Sequence, residues 1–130
     1  MITARPLTNK TKVTAICNGG LVGDLVVISG DPVGADLTVA VTDVSQNKPV
    51  IGVIIGVISP TRFVVLKSGD LDGVYTNLIP GKPYWAGING RIVPNPPSIP
   101  GTKVYWQNVG VAIGSSVFQF YPSPELKIMR

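Results

Sequence analysis

The side chains that most often perform chemistry in proteins are nearly absent from this sequence. It has no histidine, and Cys17 is its single cysteine. Serine and cysteine nucleophiles usually need a histidine as their base, and transition metals are usually bound by imidazoles or by several thiolates. We therefore expect no catalytic residues, no metal site and no cofactor. Cys17 is expected to be a small buried side chain on a strand, since free cysteines pack as hydrophobes.

Carboxylates are the remaining source of acid–base chemistry. Asp70 and Asp72 form the closest pair in the sequence, and two facing carboxylates can hydrolyse a glycosidic bond. Each aspartate lies beside glycine or proline or at the end of a predicted strand, where its side chain accepts hydrogen bonds from a turn. These aspartates are Asp24, Asp31, Asp36, Asp43, Asp70 and Asp72. We predict turn-forming roles for them and keep a carboxylate-type enzyme as a third hypothesis.

Four aromatic residues stand in two adjacent pairs, Tyr84-Trp85 and Tyr105-Trp106. Neighbouring side chains on a strand point to opposite faces of the sheet. One member of each pair is therefore expected in the core or in a subunit interface, and the other at the surface. Exposed rings with polar edges suit contact with sugars. All four residues are candidates for an interface or for carbohydrate binding.

The first twelve residues differ in charge from the rest of the chain. They carry three basic residues and no acid, whereas six of the seven acids lie between Asp24 and Asp72. We predict an extended N-terminal arm over residues 1–12 that binds an acidic protein surface; a solvated terminus is the alternative. The predicted partner-binding residues are Arg5, Pro6, Lys10 and Lys12. Nucleic acid is not expected as a partner, because the arm has no aromatic residue to stack on bases.

The elements that position these residues follow a β pattern. Hydrophobic residues make up 45% of the chain and charged residues 14%, which predicts a folded domain with much uncharged surface. Apolar residues alternate or form short runs between 15 glycines and 12 prolines. We predict a compact, single-domain, all-β fold over residues 13–121, a β-sandwich or β-barrel (β-tulip-like) of about ten short antiparallel strands. Residues 122–130 begin with prolines and are expected to leave the body as a tail.

Some segments carry stronger strand or turn signals than the others. Pro49–Ser59 is the most apolar run, and its Gly52 and Gly56 indicate a bulge or a close backbone approach in a central strand. Arg62–Ser68 is the next predicted strand. Turns are predicted at Asp31-Pro32, Gly69-Asp70 and Asn89-Gly90. Asn89-Gly90 has the composition of a tight β-hairpin turn.

No segment is predicted to cross a membrane. The longest nearly uncharged stretch, Pro49–Thr61, is shorter than the roughly 20 apolar residues of a spanning helix. The N-terminal residues have no apolar core of signal-peptide length, so we expect synthesis in the cytoplasm.

From about Gly23 to Pro122 the order of strand and turn signatures resembles a family of small β domains from tailed-bacteriophage particles. These domains occur in capsid decoration proteins and in head or tail fibres. The segments that carry the resemblance are Gly23–Val27, Pro49–Val53, Lys67–Gly69, Leu78–Trp85, Asn89–Ile92, Pro96-Pro97, Pro100–Thr102 and Val109–Ala112. They are strand and turn signatures and include no catalytic motif.

The resemblance implies a structural, non-enzymatic role in the virion, after synthesis in the host cytoplasm. Its implied partners are the major capsid protein or another virion protein, and further copies of the chain, commonly as a trimer. Decoration proteins of this type lay an N-terminal arm along the capsid lattice, which is the role implied for residues 1–12. The resemblance equally implies an alternative, a receptor- or carbohydrate-binding module of a phage fibre. The proline-rich loop Pro94–Gly101 and the tail depart from the family pattern.

Overall fold

Eleven β-strands form the described part of the protein, for which we use a computed structural model. Residues 11–123 and 126–129 are described, so Arg5, Pro6 and Lys10 of the predicted arm lie outside it. The all-β fold class predicted from the sequence is confirmed. The strands are β1 (Thr11–Cys17), β2 (Leu25–Val33), β3 (Asp36–Val41), β4 (Val50–Ser59), β5 (Arg62–Asp72), β6 (Pro83–Ala86), β7 (Ile92–Val93), β8 (Val104–Trp106), β9 (Asn108–Ala112), β10 (Val117–Phe120) and β11 (Lys127–Met129).

The first five strands close into a small barrel. Their order is β1-β3-β2-β4-β5, and β5 pairs back to β1. All neighbours are antiparallel except β1 and β3, which run parallel with Ala15 opposite Leu37. Side chains of alternate residues fill the interior, as the period of two requires. The buried residues of this inner core are Ala15, Cys17, Val26, Val39, Ile54, Phe63 and Val65. Cys17 is thus a buried strand residue, as predicted.

A second sheet continues from the far end of β5. Strand β10 pairs with the last residues of β5, and the order then continues through β9 and β6 to β7. This sheet packs on the outer face of β2, β4 and β5, where it buries the side chains that alternate with those of the inner core. Leu25, Val53 and Leu66 of the barrel therefore share an outer core with Tyr84 and Phe118 of the second sheet.

Strand β5 is longer than the sequence predicted, because it belongs to both sheets. The predicted strand stopped at Ser68, with a turn at Gly69-Asp70, but β5 continues to Asp72. Asp70 lies opposite Gln119 of β10, and Asp72 lies opposite Val117. The predicted turn at Gly69-Asp70 is therefore wrong: backbone pairing with β10 outweighs the low strand preference of glycine and aspartate.

Two further segments differ from their predictions. Strand β2 continues through Asp31-Pro32, which the sequence assigned to a turn, and bulges interrupt its pairing with β3 there. The chain after Pro122 was expected to leave the body, but β11 returns and pairs with β8. Proline ends a strand without preventing a later one. At the other terminus β1 already includes Thr11 and Lys12, which fell within the predicted arm.

The two glycines inside β4 have different structural roles. A Cβ on Gly52 would overlap the Val65 side chain and lie 2.9 Å from the Leu66 carbonyl oxygen. A Cβ on Gly56 would meet Val64 at 3.7 Å, an ordinary contact, and the pairing with β5 shifts register beside it. Gly52 is thus a close backbone approach to β5 that also adjoins a register shift in the pairing with β2, whereas Gly56 marks a bulge in the pairing with β5.

We predict that Gly52→Ala lowers the free energy of unfolding by about 1–3 kcal/mol, because the new methyl group must displace a core side chain and a carbonyl of β5. Gly56→Ala in the same strand is the matched control and should change stability by less than about 1 kcal/mol, toward stabilisation. Urea unfolding followed by tryptophan fluorescence measures both. Equal midpoints for the two variants would contradict the close approach at Gly52.

Candidate functional site

Of the predicted partner-binding residues, only Lys12 lies within the described part of the chain. Lys12 is exposed at the start of β1 and lies opposite Leu66 of β5. Strand β1 is paired on both sides, with β3 and with β5. Residues 1–10 are therefore attached to a barrel strand that is fixed by backbone hydrogen bonds.

Tyr84 belongs to the outer core. Its side chain is 5% exposed, its ring packs edge-on against Phe118 with the centroids 5.8 Å apart, and its hydroxyl accepts a hydrogen bond from the Ile79 amide at 3.0 Å. Tyr84 is therefore the core member of the first aromatic pair. In the second pair neither Tyr105 nor Trp106 is buried, so the expected core residue is present in the first pair only.

Trp85 and Trp106 lie next to each other, although they come from different pairs. Their ring centroids are 6.3 Å apart with a tilt of 59°, and both side chains are half-buried. The Trp106 indole N–H donates to the Pro97 carbonyl at 2.7 Å, so this ring also supports the proline-rich loop. Tyr105 is partly exposed, and its amide donates to the Val44 carbonyl. The structure thus brings two of the four candidate rings together in one half-buried cluster.

The aspartates divide into turn formers and strand residues. Asp24 accepts a hydrogen bond from the Leu21 amide and Asp43 accepts one from the Ser45 amide, both at 2.9 Å, as predicted for turns. Asp70 and Asp72 lie on strand β5 instead. One carboxylate oxygen of Asp70 is buried and accepts no hydrogen bond from the described residues. Within residues 11–123 and 126–129, no three histidine, cysteine, aspartate or glutamate side chains come together as a metal site.

Asp36 joins three strands on the outer surface of the barrel. It begins β3, accepts a hydrogen bond from the Thr14 hydroxyl of β1, and forms an ion pair with Arg62 of β5 at 3.1 Å. The Thr14 hydrogen bond, followed by the Arg62 hydrogen bonds, lowers the pKa of the Asp36 carboxyl below its ordinary value. This contact stabilises the parallel pair β1–β3, and its role as a strand bridge was not anticipated from the sequence.

Five large aliphatic side chains are exposed at one end of the barrel, which we call the apolar end. They lie in the loop of residues 18–24 after β1, in the last residues of β4 before its hairpin loop to β5, and in the hairpin loop between β6 and β7. The Cys17 amide donates to the Thr61 carbonyl at 3.0 Å, which joins the first two loops. The residues of the apolar end are Leu21, Val22, Val57, Ile58 and Ile88, and each is about half exposed or more.

The third loop reaches the apolar end through a turn that only specific residues can form. Asn89 and Gly90 have φ values of 58° and 76°, as in the two-residue hairpin turn that their sequence predicted. A Cβ on Gly90 would lie 2.6 Å from the Val41 side chain and 3.3 Å from Asp24 Cβ. The hairpin tip therefore packs directly against the first loop at Asp24.

The opposite end of the barrel, which we call the charged end, has a different surface. Strand β1 begins there, and the exposed Lys12, Lys48 and Lys67 lie there together with Asp31 and with Asp70 and Asp72, which continue β5 beyond Lys67. The apolar end was missed in the sequence because Val57 and Ile58 continue the most apolar run and look like core residues. They are exposed because they lie beyond the closed part of the barrel. The pattern of apolar residues does not reveal where the barrel closes.

Comparisons with models of known protein families, with curated proteins and with solved structures found no match to this chain. The class of protein is therefore defined by the structure alone: an all-β domain with a closed five-stranded barrel and a second sheet packed on it. In the described part of the chain, no helix is both long enough and apolar enough to span a membrane.

We predict that the Asp36 contact makes stability depend on pH in acid. Because the pKa of Asp36 is lower in the folded protein, its carboxylate stabilises the fold above the unfolded pKa of about 4, and the contribution is lost as the pH falls through the folded pKa. Asp36→Asn should thus be less stable than the original protein at pH 7, and the difference should shrink below pH ~4. Thermal unfolding between neutral and acid pH measures it. Asp31→Asn, an exposed aspartate of the same hairpin, is the control, and a difference for Asp36→Asn that persists unchanged in acid would contradict the ion-pair role.

Proposed function

We propose that this chain is a non-enzymatic structural protein of a virion. It binds and stabilises a capsid surface through its N-terminal segment, and it associates with further copies of itself, with a trimer as the favoured assembly. The proposed partner is the major capsid protein or another virion protein. Neither a nucleic acid nor a membrane is part of the proposal.

The observation that carries the proposal is where the N-terminal segment is attached. Strand β1 begins at the charged end, where Lys12 and Lys67 are exposed, and the segment that carries Arg5 and Lys10 precedes β1 in the sequence. Basic groups that are collected at one end attract an acidic surface and orient the domain as it approaches. The same arrangement keeps the apolar end away from the surface to which the segment binds.

The barrel suits a protein that must attach firmly by a short segment. Strand β1 pairs with β5 from Thr11 to Ile16 and with β3 at its last three residues, and the Asp36 bridge crosses its outer face. A segment that starts from a fixed strand loses less conformational freedom on binding than one that starts from a mobile loop. This supports residues 1–12 as the binding element, without fixing the shape they take on the partner.

A second candidate function is carbohydrate or receptor binding by a fibre module. The specific observation in its favour is the half-buried Trp85–Trp106 cluster beside the proline-rich loop. The two rings are tilted by 59° and share no common plane. Stacking on sugars requires a flat platform, which this pair does not form. The cluster therefore supports this function less well than the charged end supports capsid binding.

We predict that the double change Arg5→Glu and Lys10→Glu weakens binding to virion shells at least about tenfold, because it reverses two charges in the binding segment. The measurement is co-sedimentation with shells from which the protein has been stripped, at rising salt concentration. Lys82→Glu with Lys103→Glu makes the same change of charge immediately before β6 and immediately before β8, and it should leave binding intact. Equal losses for both double variants would show that only net charge matters, and no loss for either would contradict the proposal.

The carbohydrate alternative has its own measurement. If the tryptophan cluster binds sugar, titration with host surface polysaccharides should change the tryptophan fluorescence, and Trp85→Phe should weaken the interaction. If the proposed capsid role is the correct one, the fluorescence stays constant and a glycan array gives no signal. A saturable change that Trp85→Phe removes would favour the fibre module.

A further inference from the structure

The apolar end is an unusual surface for a domain of this size. Leu21 is 73% exposed and Val57 is 59% exposed. Together with Val22, Ile58 and Ile88 they present about 500 Å² of side-chain surface, which is in the range of patches that mark contact sites on folded proteins. The three loops that carry them are joined by the Cys17–Thr61 hydrogen bond and by the close packing of Gly90 on Asp24. The three loops are therefore held in place relative to one another.

We propose that copies of this chain bury their apolar ends against one another. The inference rests on the self-association included in the proposed function and names the surface that carries it. A standard interface buries about 800 Å² on each partner. The apolar end supplies more than half of that area as aliphatic side chains, and the backbone of the same loops can supply the polar rim.

The near-neutral charge of the apolar end favours a second copy as the occupant. When identical ends meet around a symmetry axis, each charged group faces its own kind, so a self-contact tolerates little net charge. In the three loops of the apolar end, Asp24 and Arg91 have opposite signs, and Arg62 is already paired with Asp36. The end is thus nearly neutral as a whole.

The charged end lies at the other end of β1. Among the described residues, Lys12, Lys48 and Lys67 lie there with Asp31 and with Asp70 and Asp72, which continue β5 beyond Lys67. Strand β1 begins at this end, so self-association at the apolar end leaves the start of β1 in every copy free for the particle surface.

The test uses two valines of nearly equal exposure at opposite ends of the barrel. Val57 at the apolar end is 59% exposed, and Val33 at the charged end is 61% exposed. Val57→Lys and Val33→Lys add the same charge to a hairpin. Sedimentation velocity of the full chain should show an oligomer for the original protein and for Val33→Lys, and a dissociation constant at least about tenfold higher for Val57→Lys. Circular dichroism and the urea midpoint show whether each variant is folded.

Leu21→Lys provides a second variant outside any strand, should Val57→Lys fail to fold. An original protein that stays monomeric up to about 100 µM overturns the inference, since a contact of this size should form below that concentration. An oligomer that Val57→Lys and Leu21→Lys leave intact also overturns it, by placing the contact elsewhere. Neither result touches capsid binding through the N-terminal segment, which the shell assay tests independently.

Discussion

The alternation of side chains along β2, β4 and β5 holds the molecule together, because these strands are buried on both faces. Within β5, Val65 points into the barrel and Leu66 points toward the second sheet. Adjacent residues of β4, Val53 and Ile54, divide in the same way. A slip of one residue would send each side chain to the other core, so the two layers fix each other's register. The positions of both barrel ends follow from this register.

Much of the local structure could be predicted from the sequence, since short β-branched runs between glycines and prolines locate most strands. The parallel pairing of β1 with β3 could not, because it joins segments that are distant in sequence and that carry no local signal. The extension of β5 through Gly69 and Asp70 was missed for a related reason: these residues are typical of turns, and only pairing with β10 makes them a strand. Gly52 was recognised, but whether it marked a bulge or a close contact depended on Val65 across the strand.

Only those features of the candidate site that depend on residue type alone could be predicted from the sequence. Basic residues near the N-terminus stand out by charge, and adjacent aromatic residues must face opposite ways on a strand, so Tyr84 in the core fits the sequence pattern. The exposure of Val57 and Ile58 depends on where the barrel closes, which follows from long-range pairing. The meeting of Trp85 with Trp106 likewise depends on the packing of β6 beside β8.

The two ends of the barrel differ: strand β1 begins at one end, and exposed aliphatic side chains lie at the other. The most direct measurement is electron cryo-microscopy of the virion, at a resolution that shows the barrel strands. The account predicts that Thr11 and Lys12 lie nearest the shell and that Val57 of neighbouring copies meet near a common symmetry axis. A barrel with its apolar end on the shell and its N-terminus pointing outward, or isolated single copies with both ends in solvent, would contradict it.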